Sequence, residues 1–410
     1  MTAGPPTYEN AWGWLVASDP ASRAAVQAAL GSPGGQPVSL ATAAEALAGA
    51  DGSTLLALDA WLAGSRYPAS RRPAFTRLPF DYRRVPPTIR GALLGILERL
   101  TNSATVPFPE WPAETRLDQA RERVWATAAA SAGIALHKPA WPAGRAGAVL
   151  LTHDIDVVQD LARIDPLRDL ERDHGLPSAF GFVPRVTWPD RALVERLAGD
   201  GCESYVHDYT HDGRFPYAGR DHIEAAFAGL FARDPWARPL LRGFRSGQLL
   251  LTDDLLASVA AWFDYDLTIP DVERGGPQGT VAGAGTVVPF MIGPLVELPL
   301  TLPQDFFVDR VLRLSEDEIV ATWRAKLEWV VSRGGVAVVN THPLWVNPDR
   351  PRMWQAYQRL IIAIADDARL WVTTPSTVSA HLRRLRDGGD AAAGMAWTSA
   401  AAASIASKPE

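Results

Sequence analysis

The sequence changes its rhythm near residue 146, and this change limits the folds that the chain can adopt. From there on, short runs rich in β-branched and aromatic residues alternate with stretches of helical pattern. The predicted strands are Ala148–Thr152, Ser178–Val183, Glu203–His207, Leu240–Phe244, Trp262–Leu267, Val296–Leu300, Val336–Thr341 and Leu370–Thr374. Because this alternation is typical of a mostly parallel sheet or barrel, the expected class is α/β.

Two helices near the end of this region carry clear signals. Ser315 with Glu318 three residues later forms a capping box, and the helix is expected to run to Arg333, before a pair of glycines. A closing helix is expected over Ser376–Leu385. Outside this region, residues 1–140 have a mainly helical pattern of unknown role, and residues 386–410, rich in Ala, Ser and Gly, are expected to be a disordered tail.

Composition excludes several classes of function. The chain has 46 acidic and 40 basic residues and a net charge of −6, so a general grip on nucleic-acid phosphates is not expected. Its only cysteine, Cys202, cannot form an intramolecular disulfide. Acidic Glu9 and Asp19 precede the first basic residue, Arg23, which is the reverse of a signal peptide, so a cytoplasmic location is expected. The uncharged stretch Gly275–Val296 holds six glycines and three prolines and indicates a loop with a short strand rather than a membrane span.

The first predicted strand is followed by two carboxylates, Asp154 and Asp156. In parallel α/β architectures the loops after the strands build the functional site. Two carboxylates at such a place are costly to bury unless a positive group lies beside them. At this point a solvated loop, or the Asp-x-Asp of a glycosyltransferase that holds a metal and a nucleotide diphosphate, remains an alternative.

Two histidines follow the third predicted strand, at His207 and His211. Side chains four residues apart share one face of a helical turn, so both imidazoles can reach one metal ion. Together with the upstream Asp-x-Asp they predict a two-His, one-carboxylate metal site with open positions. Iron oxygenases use the same ligand set. Their usual all-β fold disagrees with the alternation of strands and helices here.

Further strand ends carry Arg245, Asp266 and His342. An arginine beside a carboxylate keeps it ionised, and a second carboxylate can orient the pair. A histidine at a strand end before a proline is a candidate general acid. Asp305 is a further candidate to border the site, and His153 is expected to point away from it with a structural role.

In this order the residues resemble the polysaccharide deacetylase family, the NodB-homology carbohydrate esterases. The motifs that carry the resemblance are Asp154-x-Asp156, in the form of divergent members, then His207-x-x-x-His211, Arg245, Asp266 and His342. The resemblance covers about residues 146–385 and implies a distorted (β/α) barrel of about seven strands behind an N-terminal, mainly helical extension. Two departures are Gly247, where the family often has proline, and Thr268-Ile269-Pro270, where a tryptophan is usual after the fourth motif.

The resemblance also implies roles for these residues. Asp156, His207 and His211 are expected to bind a divalent metal, foremost Zn²⁺, with Co²⁺, Ni²⁺, Mn²⁺ or Fe²⁺ as alternatives. Asp154 is expected to be the general base, Arg245 to keep it ionised, His342 to be the general acid, and Asp266 to tune the arginine or the histidine.

The expected reaction is metal-dependent hydrolysis of an amide C–N bond. Water activated by the metal loses a proton to Asp154, and His342 protonates the leaving amine. The expected substrate is a small molecule or glycan with an N-acyl group, foremost an N-acetylated amino sugar. Alternatives are a deformylase or cyclic-amide hydrolase of the same fold, or a catalytically idle glycan-binding module. Protein partners cannot be named from the sequence.

Overall fold

The computed structural model describes residues 8–10, 72–73, 76, 111–113, 141–272, 284 and 286–386. Most of the first 140 residues and the tail after residue 386 lie outside the described residues. The predictions of a mainly helical N-terminal region and of a disordered tail therefore stay predictions, as do the domain boundaries drawn from them.

The strands and helices alternate along the chain from residue 147 onward. The strands are β1 (Tyr8–Asn10), β2 (Gly147–Ile155), β3 (Ser178–Phe182), β4 (Glu203–His207), β5 (Leu241–Arg245), β6 (Tyr265–Asp266), β7 (Phe290–Ile292), β8 (Leu295–Glu297), β9 (Val336–Thr341) and β10 (Leu370–Val372). The α-helices are α1 (Val158–Leu161), α2 (Ile164–Asp173), α3 (Arg191–Gly199), α4 (Arg220–Arg233), α5 (Ala237–Leu240), α6 (Asp253–Trp262), α7 (Glu316–Arg333), α8 (Pro351–Ala365) and α9 (Pro375–Arg386). A π-helix spans Phe307–Val311.

Each strand predicted after residue 146 has a counterpart in the structure. The capping box is confirmed: Ser315 caps α7, and the helix ends at Gly334, whose φ of 70° is the left-handed conformation that glycine adopts most easily. The pattern did not predict β1, and β7 is the short strand expected within Gly275–Val296. These two short strands pair with each other antiparallel at one edge of the sheet.

The parallel strands curl into a distorted barrel, as predicted. Neighbouring strands follow the order β8-β6-β5-β4-β3-β2-β9, and all of these pairs are parallel. The gap between β8 and β9 is bridged by the chain after β8: the Leu302 N–H donates to the Val338 carbonyl at 3.1 Å. The Thr301 hydroxyl donates to the Val336 carbonyl at 3.0 Å and accepts from the Val338 N–H at 2.7 Å. Through these bonds the segment after β8 meets β9, and the seven parallel strands form a ring. Strand β10 also pairs parallel with β2, at Gly147–Val149.

Strand β2 lies at the centre of the core and is buried along its whole length. This burial fits a strand with parallel neighbours on both edges and helices outside. Because the barrel strands are parallel, their carboxyl ends meet at one end of the barrel, which therefore collects the polar residues that follow them. Among the described helices, none combines the length and the apolar character needed to span a bilayer.

Candidate active site

The carboxyl ends of four strands carry most of the candidate residues. Asp154 is the next-to-last residue of β2, His207 and Arg245 are the last residues of β4 and β5, and His342 directly follows β9. His207 and Arg245 are also register partners in neighbouring strands. The fold thus brings residues far apart in the sequence to one end of the barrel.

Asp156, His207 and His211 converge on one point. The Asp156 Oδ1 atom lies 3.1 Å from His207 Nε2 and 3.3 Å from His211 Nε2. One ligand atom from each of the three residues lies within 4.8 Å of the others. Asp156 Oδ1 and His207 Nε2 are buried, and within the described part of the chain neither makes a hydrogen bond. Buried polar atoms without a partner are costly, and a divalent cation would satisfy both, so this set fits a metal.

Neighbouring groups orient the candidate ligands. His207 Nδ1 lies 3.0 Å from the Arg245 carbonyl oxygen, which can only accept, so Nδ1 carries a proton and Nε2 is the ring atom that faces Asp156. The Asp160 carboxylate accepts from the backbone N–H groups of Asp156 and Val157, both at 3.1 Å. Burial raises the pKa of Asp160 to about 6. Asp160, which the sequence did not single out, therefore holds the loop that presents Asp156.

The packing around residue 247 accounts for the glycine at this position. His211 and Asp208 both have left-handed backbone conformations, with φ of 55° and 52°, and they pack directly against Gly247. A Cβ atom at residue 247 would lie 2.4 Å from Asp208 Oδ2 and 2.8 Å from His211 Cδ2. A side chain at this position would displace the second histidine of the candidate metal set, so the local structure requires glycine.

Both carboxylate oxygens of Asp154 accept hydrogen bonds from side chains of neighbouring strands. Its Oδ1 accepts from the Tyr205 hydroxyl at 2.6 Å and from Arg245 Nη1 at 3.0 Å, and its Oδ2 accepts from Asn340 Nδ2 at 2.8 Å. Burial by itself would raise the pKa of Asp154. The charges of Arg245, His207 and His342 outweigh burial, so the pKa lies below its usual range and the carboxylate stays ionised.

Arg245 is wholly buried, yet its guanidinium is surrounded by acceptors. Besides Asp154, these acceptors are the Leu267 carbonyl at 3.1 Å, Thr152 Oγ1 at 3.0 Å, Asn340 Oδ1 at 2.8 Å and the Tyr205 hydroxyl at 2.7 Å. Tyr205 can reach this place because residue 181 beneath it is glycine, where a Cβ would lie 2.3 Å from the Tyr205 ring.

Thr152, Tyr205 and Asn340 were missed at the level of sequence, although a signal for them exists. Each lies two residues before a candidate site residue, namely Asp154, His207 and His342. Side chains at i and i+2 of a strand point to the same face. Counting back by two from each strand end therefore identifies polar residues that face the same interior.

His342 is held by Asp305. Its Nδ1 lies 2.8 Å from Asp305 Oδ1, and its backbone N–H donates to Asp305 Oδ2 at 2.6 Å. Its Nε2 lies 3.9 Å from Asp154 Oδ2 and 3.7 Å from Asp156 Oδ2. Burial would lower the pKa of His342, but the charges of Asp305, Asp156 and Asp154 raise it to about 10. His342 is therefore protonated at neutral pH.

Asp266 sits behind Arg245 rather than in contact with it. Its Oδ1 accepts from Thr268 Oγ1 at 2.6 Å, and it is the register partner of Glu297. None of the hydrogen bonds of the Arg245 guanidinium goes to Asp266, whose charge nevertheless raises the pKa of the arginine. Burial raises the pKa of Asp266 to about 6, and burial together with the charge of Asp266 raises the pKa of Glu297 well above its usual value.

His153 lies on the opposite face of β2 from Asp154. Its Nδ1 lies 2.7 Å from Thr341 Oγ1 and its Nε2 lies 2.8 Å from a Glu171 carboxylate oxygen. Both contacts are buried in the layer between the sheet and α2. This placement agrees with the structural role expected for His153.

No protein-family model matches the chain, and no curated protein matches it. Several solved structures are similar to it. A protein from Mycobacterium smegmatis described as a polysaccharide deacetylase is 20% identical, with a TM-score of 0.48, covering 59% of this chain and 92% of that one. Puue allantoinase is 12% identical, with a TM-score of 0.46, covering 60% of this chain and 93% of that one. A family 4 carbohydrate esterase from Streptomyces lividans is 17% identical, with a TM-score of 0.36, covering 55% of this chain and 91% of that one.

Proposed function

We propose that this protein is a metal-dependent hydrolase that cleaves an amide C–N bond, and that its substrate is an N-acetylated amino sugar or a related N-acyl carbohydrate. One observation carries the proposal. Buried ligand atoms without partners, on Asp156 and His207, lie beside an ionised carboxylate, Asp154, and a protonated imidazole, His342. This combination supplies a cation site, a base and an acid at one end of the barrel.

Asp156, His207 and His211 are the proposed metal ligands. Two imidazoles and one carboxylate suit Zn²⁺, and Co²⁺, Ni²⁺, Mn²⁺ and Fe²⁺ accept the same donors. A cation bound there supplies Lewis acidity, which polarises an amide carbonyl and makes a nearby water more acidic.

Asp154 is the proposed general base. Its Oδ2 accepts one hydrogen bond, from Asn340, and therefore keeps a lone pair for the proton of a water. Because Arg245 and the histidines hold its pKa low, Asp154 stays ionised but is a weak base. It thus suits a reaction in which the water itself has been made acidic.

His342 is the proposed general acid. The contact between Nδ1 and Asp305 orients the ring, and the Nε2–H faces the region between Asp154 and Asp156. An amine is a poor leaving group unless it is protonated as the C–N bond breaks. The raised pKa of His342 keeps a proton available for that step.

Arg245 and Asp266 are proposed as positioning residues. Arg245 keeps Asp154 ionised through a direct ion pair, and Asp266 acts on Arg245 through its charge. Formamide and cyclic-amide hydrolysis use the same acid and base and remain alternative reactions. A catalytically idle glycan-binding module is the alternative from another class. The cytoplasmic location remains a prediction from the sequence.

The test uses the full-length protein loaded with zinc. It is incubated with a panel of N-acetyl sugars, N-formyl sugars and cyclic amides, and mass spectrometry scores loss of acetyl, loss of formyl or addition of water. Asp154→Asn and His207→Ala are each expected to reduce turnover by at least about a thousandfold. Asp264→Asn is the matched control, because Asp264 is a partly exposed residue of the same barrel whose ion-pair partner is the exposed Arg242.

The outcomes separate the candidate functions. Loss of acetyl, formyl or a ring amide identifies the reaction, provided that it disappears in Asp154→Asn and persists in Asp264→Asn. Turnover that survives in Asp154→Asn and His207→Ala would reject the proposed mechanism. Glycan binding that is insensitive to Asp154→Asn, without any released acid, would favour the idle module.

A further inference from the structure

A cationic and aromatic cluster is formed by the segments that follow Asp305 and His342, and the mechanism described above does not use it. It consists of Trp345 with Arg310 and Arg350, whose guanidinium carbons lie 5.3 and 4.5 Å from the centroid of the Trp345 ring. The Phe306 ring packs against Trp345 with centroids 5.7 Å apart. We refer to Arg310, Trp345 and Arg350 as the arginine rim.

The arginine rim lies on the two chain segments that follow Asp305 and His342. The Trp345 N–H donates to the His342 carbonyl at 2.8 Å, so the ring belongs to the turn that begins at the general acid. Phe306 directly follows Asp305 in the chain. Arg310 lies in the π-helix Phe307–Val311, a rare element that is frequent at functional sites.

The two guanidiniums of the rim lack the ion pairs that neighbouring arginines have. Arg352 pairs with Asp309, Arg359 pairs with Glu316 and Asp317, and Arg369 pairs with Glu328 and Asp367. Arg310 and Arg350 form no ion pair or side-chain hydrogen bond with any described residue. The side chain of Arg310 is exposed and that of Arg350 is partly exposed.

This arrangement suits recognition of an anion. A guanidinium over an aromatic ring gains cation–π stabilisation and still presents its N–H groups at the edge. Those N–H groups match the oxygens of a carboxylate or a phosphate, which can accept two parallel hydrogen bonds. Two such groups lie on the segments that follow the two members of the Asp305–His342 pair.

We propose that the arginine rim binds an anionic group of the substrate, a carboxylate or a phosphate, on the amine side of the scissile bond. This inference rests on the proposed function, because the side of the bond is set by His342, which protonates the leaving amine. The substrate class narrows to an N-acyl amino sugar that carries a negative charge. Neutral N-acyl sugars lack the group that the rim recognises.

The experiment compares matched substrates with the zinc-loaded, full-length protein. The probes are N-acetylglucosamine as the neutral form, N-acetylglucosamine 6-phosphate as the phosphate form and N-acetylmuramic acid as the carboxylate form. The test variant is the double substitution Arg310→Gln/Arg350→Gln. The control is Arg384→Gln, which makes the same change of charge at one exposed residue of α9. We measure kcat/KM by released acetate at low ionic strength. Calorimetry measures binding of the same probes to Asp154→Asn, with and without the two rim substitutions.

The wild type is expected to prefer at least one anionic probe over the neutral probe by about tenfold or more in kcat/KM. The double variant is expected to lose this preference through KM while it retains its activity on the neutral probe, and Arg384→Gln is expected to behave like the wild type. Which anionic probe is preferred distinguishes phosphate from carboxylate. High salt is expected to weaken the preference, because the rim is partly exposed.

The failures of the two proposals differ. Equal kcat/KM for neutral and anionic probes, or a preference that survives in the double variant, overturns the rim proposal and leaves the hydrolase proposal intact. Absence of turnover together with anion binding that the rim substitutions abolish overturns the hydrolase proposal and supports the rim. Absence of both turnover and anion binding overturns both.

Discussion

Asp154 and Asp156 stand two residues apart at the same strand end, yet they lie in opposite environments. Asp154 accepts hydrogen bonds from Tyr205, Arg245 and Asn340 and is almost completely buried. Asp156 points an oxygen at two histidines and forms no hydrogen bond through it. The Asp154 carboxylate is thus positioned by three donors of the protein, and the Oδ1 atom of Asp156 is a candidate ligand atom.

The same contrast extends to the groups around each carboxylate. The first cluster consists of Asp154 and Arg245 with the residues that bond to them. The Arg245 guanidinium donates to acceptors from four other strands or strand ends, so its hydrogen bonds are all made within the protein. The second cluster consists of Asp156, His207 and His211. His207 uses Nδ1 for the Arg245 carbonyl, and the Nε2 atoms of both histidines face Asp156 Oδ1. Saturation of polar atoms therefore separates positioning residues from candidate ligands more sharply than burial does.

The largest expected effect follows from breaking the first cluster, around Asp154 and Arg245. Arg245→Gln leaves the buried Asp154 charge without its main partner and is expected to lower the free energy of unfolding by about 3–5 kcal/mol. Urea denaturation of the zinc-free protein measures this. Adding Asp154→Asn to Arg245→Gln removes the uncompensated charge and is expected to restore part of the stability.

Asp156→Asn is the matched control in the other cluster. Its effect on the zinc-free protein is expected to be smaller than that of Arg245→Gln, because the Asp156 side chain is partly exposed and its Oδ1 has no hydrogen bond to lose. The same variant is expected to lose the stabilisation that zinc confers on the wild type. A loss of stability in Asp156→Asn as large as in Arg245→Gln would contradict the distinction between the two clusters.

A smaller effect is expected from Gly247→Ala, which perturbs only the second cluster, through His211. The added methyl group would overlap Asp208 and His211, so zinc affinity is expected to fall by about 10–100-fold while Asp154 and Arg245 keep their contacts. Competition with a chromophoric zinc chelator measures the affinity. Gly229→Ala serves as control, since its Cβ would meet nothing within 4 Å in the middle of α4. Unchanged zinc affinity in Gly247→Ala would show that His211 is not a ligand.

The smallest effect concerns the carboxyl pair behind Arg245. The folded protein holds the pKa of Asp266 at about 6 and that of Glu297 above its usual value, while both are near 4 when unfolded. The folded state then binds more protons, so this pair stabilises the fold below pH 4 and loses that contribution as pH rises through 6 and beyond. The wild type is expected to lose about 1 kcal/mol per pH unit for each such proton.

Glu297→Gln tests this contribution. The substitution removes one titrating group and keeps a side chain that can donate to Asp266, so stability is expected to decline less steeply between pH 5 and 8. Urea midpoints at unit steps of pH compare the variant with the wild type. Parallel curves for the two proteins would mean that Glu297 is ionised in the folded state.

Much of the fold was accessible from the sequence because its signals are local. The alternation of strand and helix patterns, the capping box at Ser315 and the glycine at 334 each depend on residues a few positions apart. Strand β1 escaped prediction because it pairs with the distant strand β7, where Tyr8 faces Ile292, and its three residues carry no pattern of their own. Short edge strands of this kind are specified by their partner rather than by their own sequence.

The candidate site was accessible in part for a related reason. Ionisable residues after apolar strands stand out, which identified Asp154, Asp156, His207, His211, Arg245 and His342. Asp305 and Asp266 show the limit. Both are single acids near strand ends, and only the tertiary structure shows that Asp305 contacts His342 whereas Asp266 pairs with Glu297.

The sequence by itself determined the order of strands and helices and the chemical types that gather at one end of the barrel, because periodicity and strand-end polarity are properties of neighbouring residues. The tertiary structure decided which of those polar atoms are satisfied. Asp154 and Asp156 are indistinguishable as letters in the chain. One becomes a fixed charge and the other a candidate ligand only because β4, β5 and β9 bring Tyr205, Arg245 and Asn340 to the first and leave the second facing two histidines.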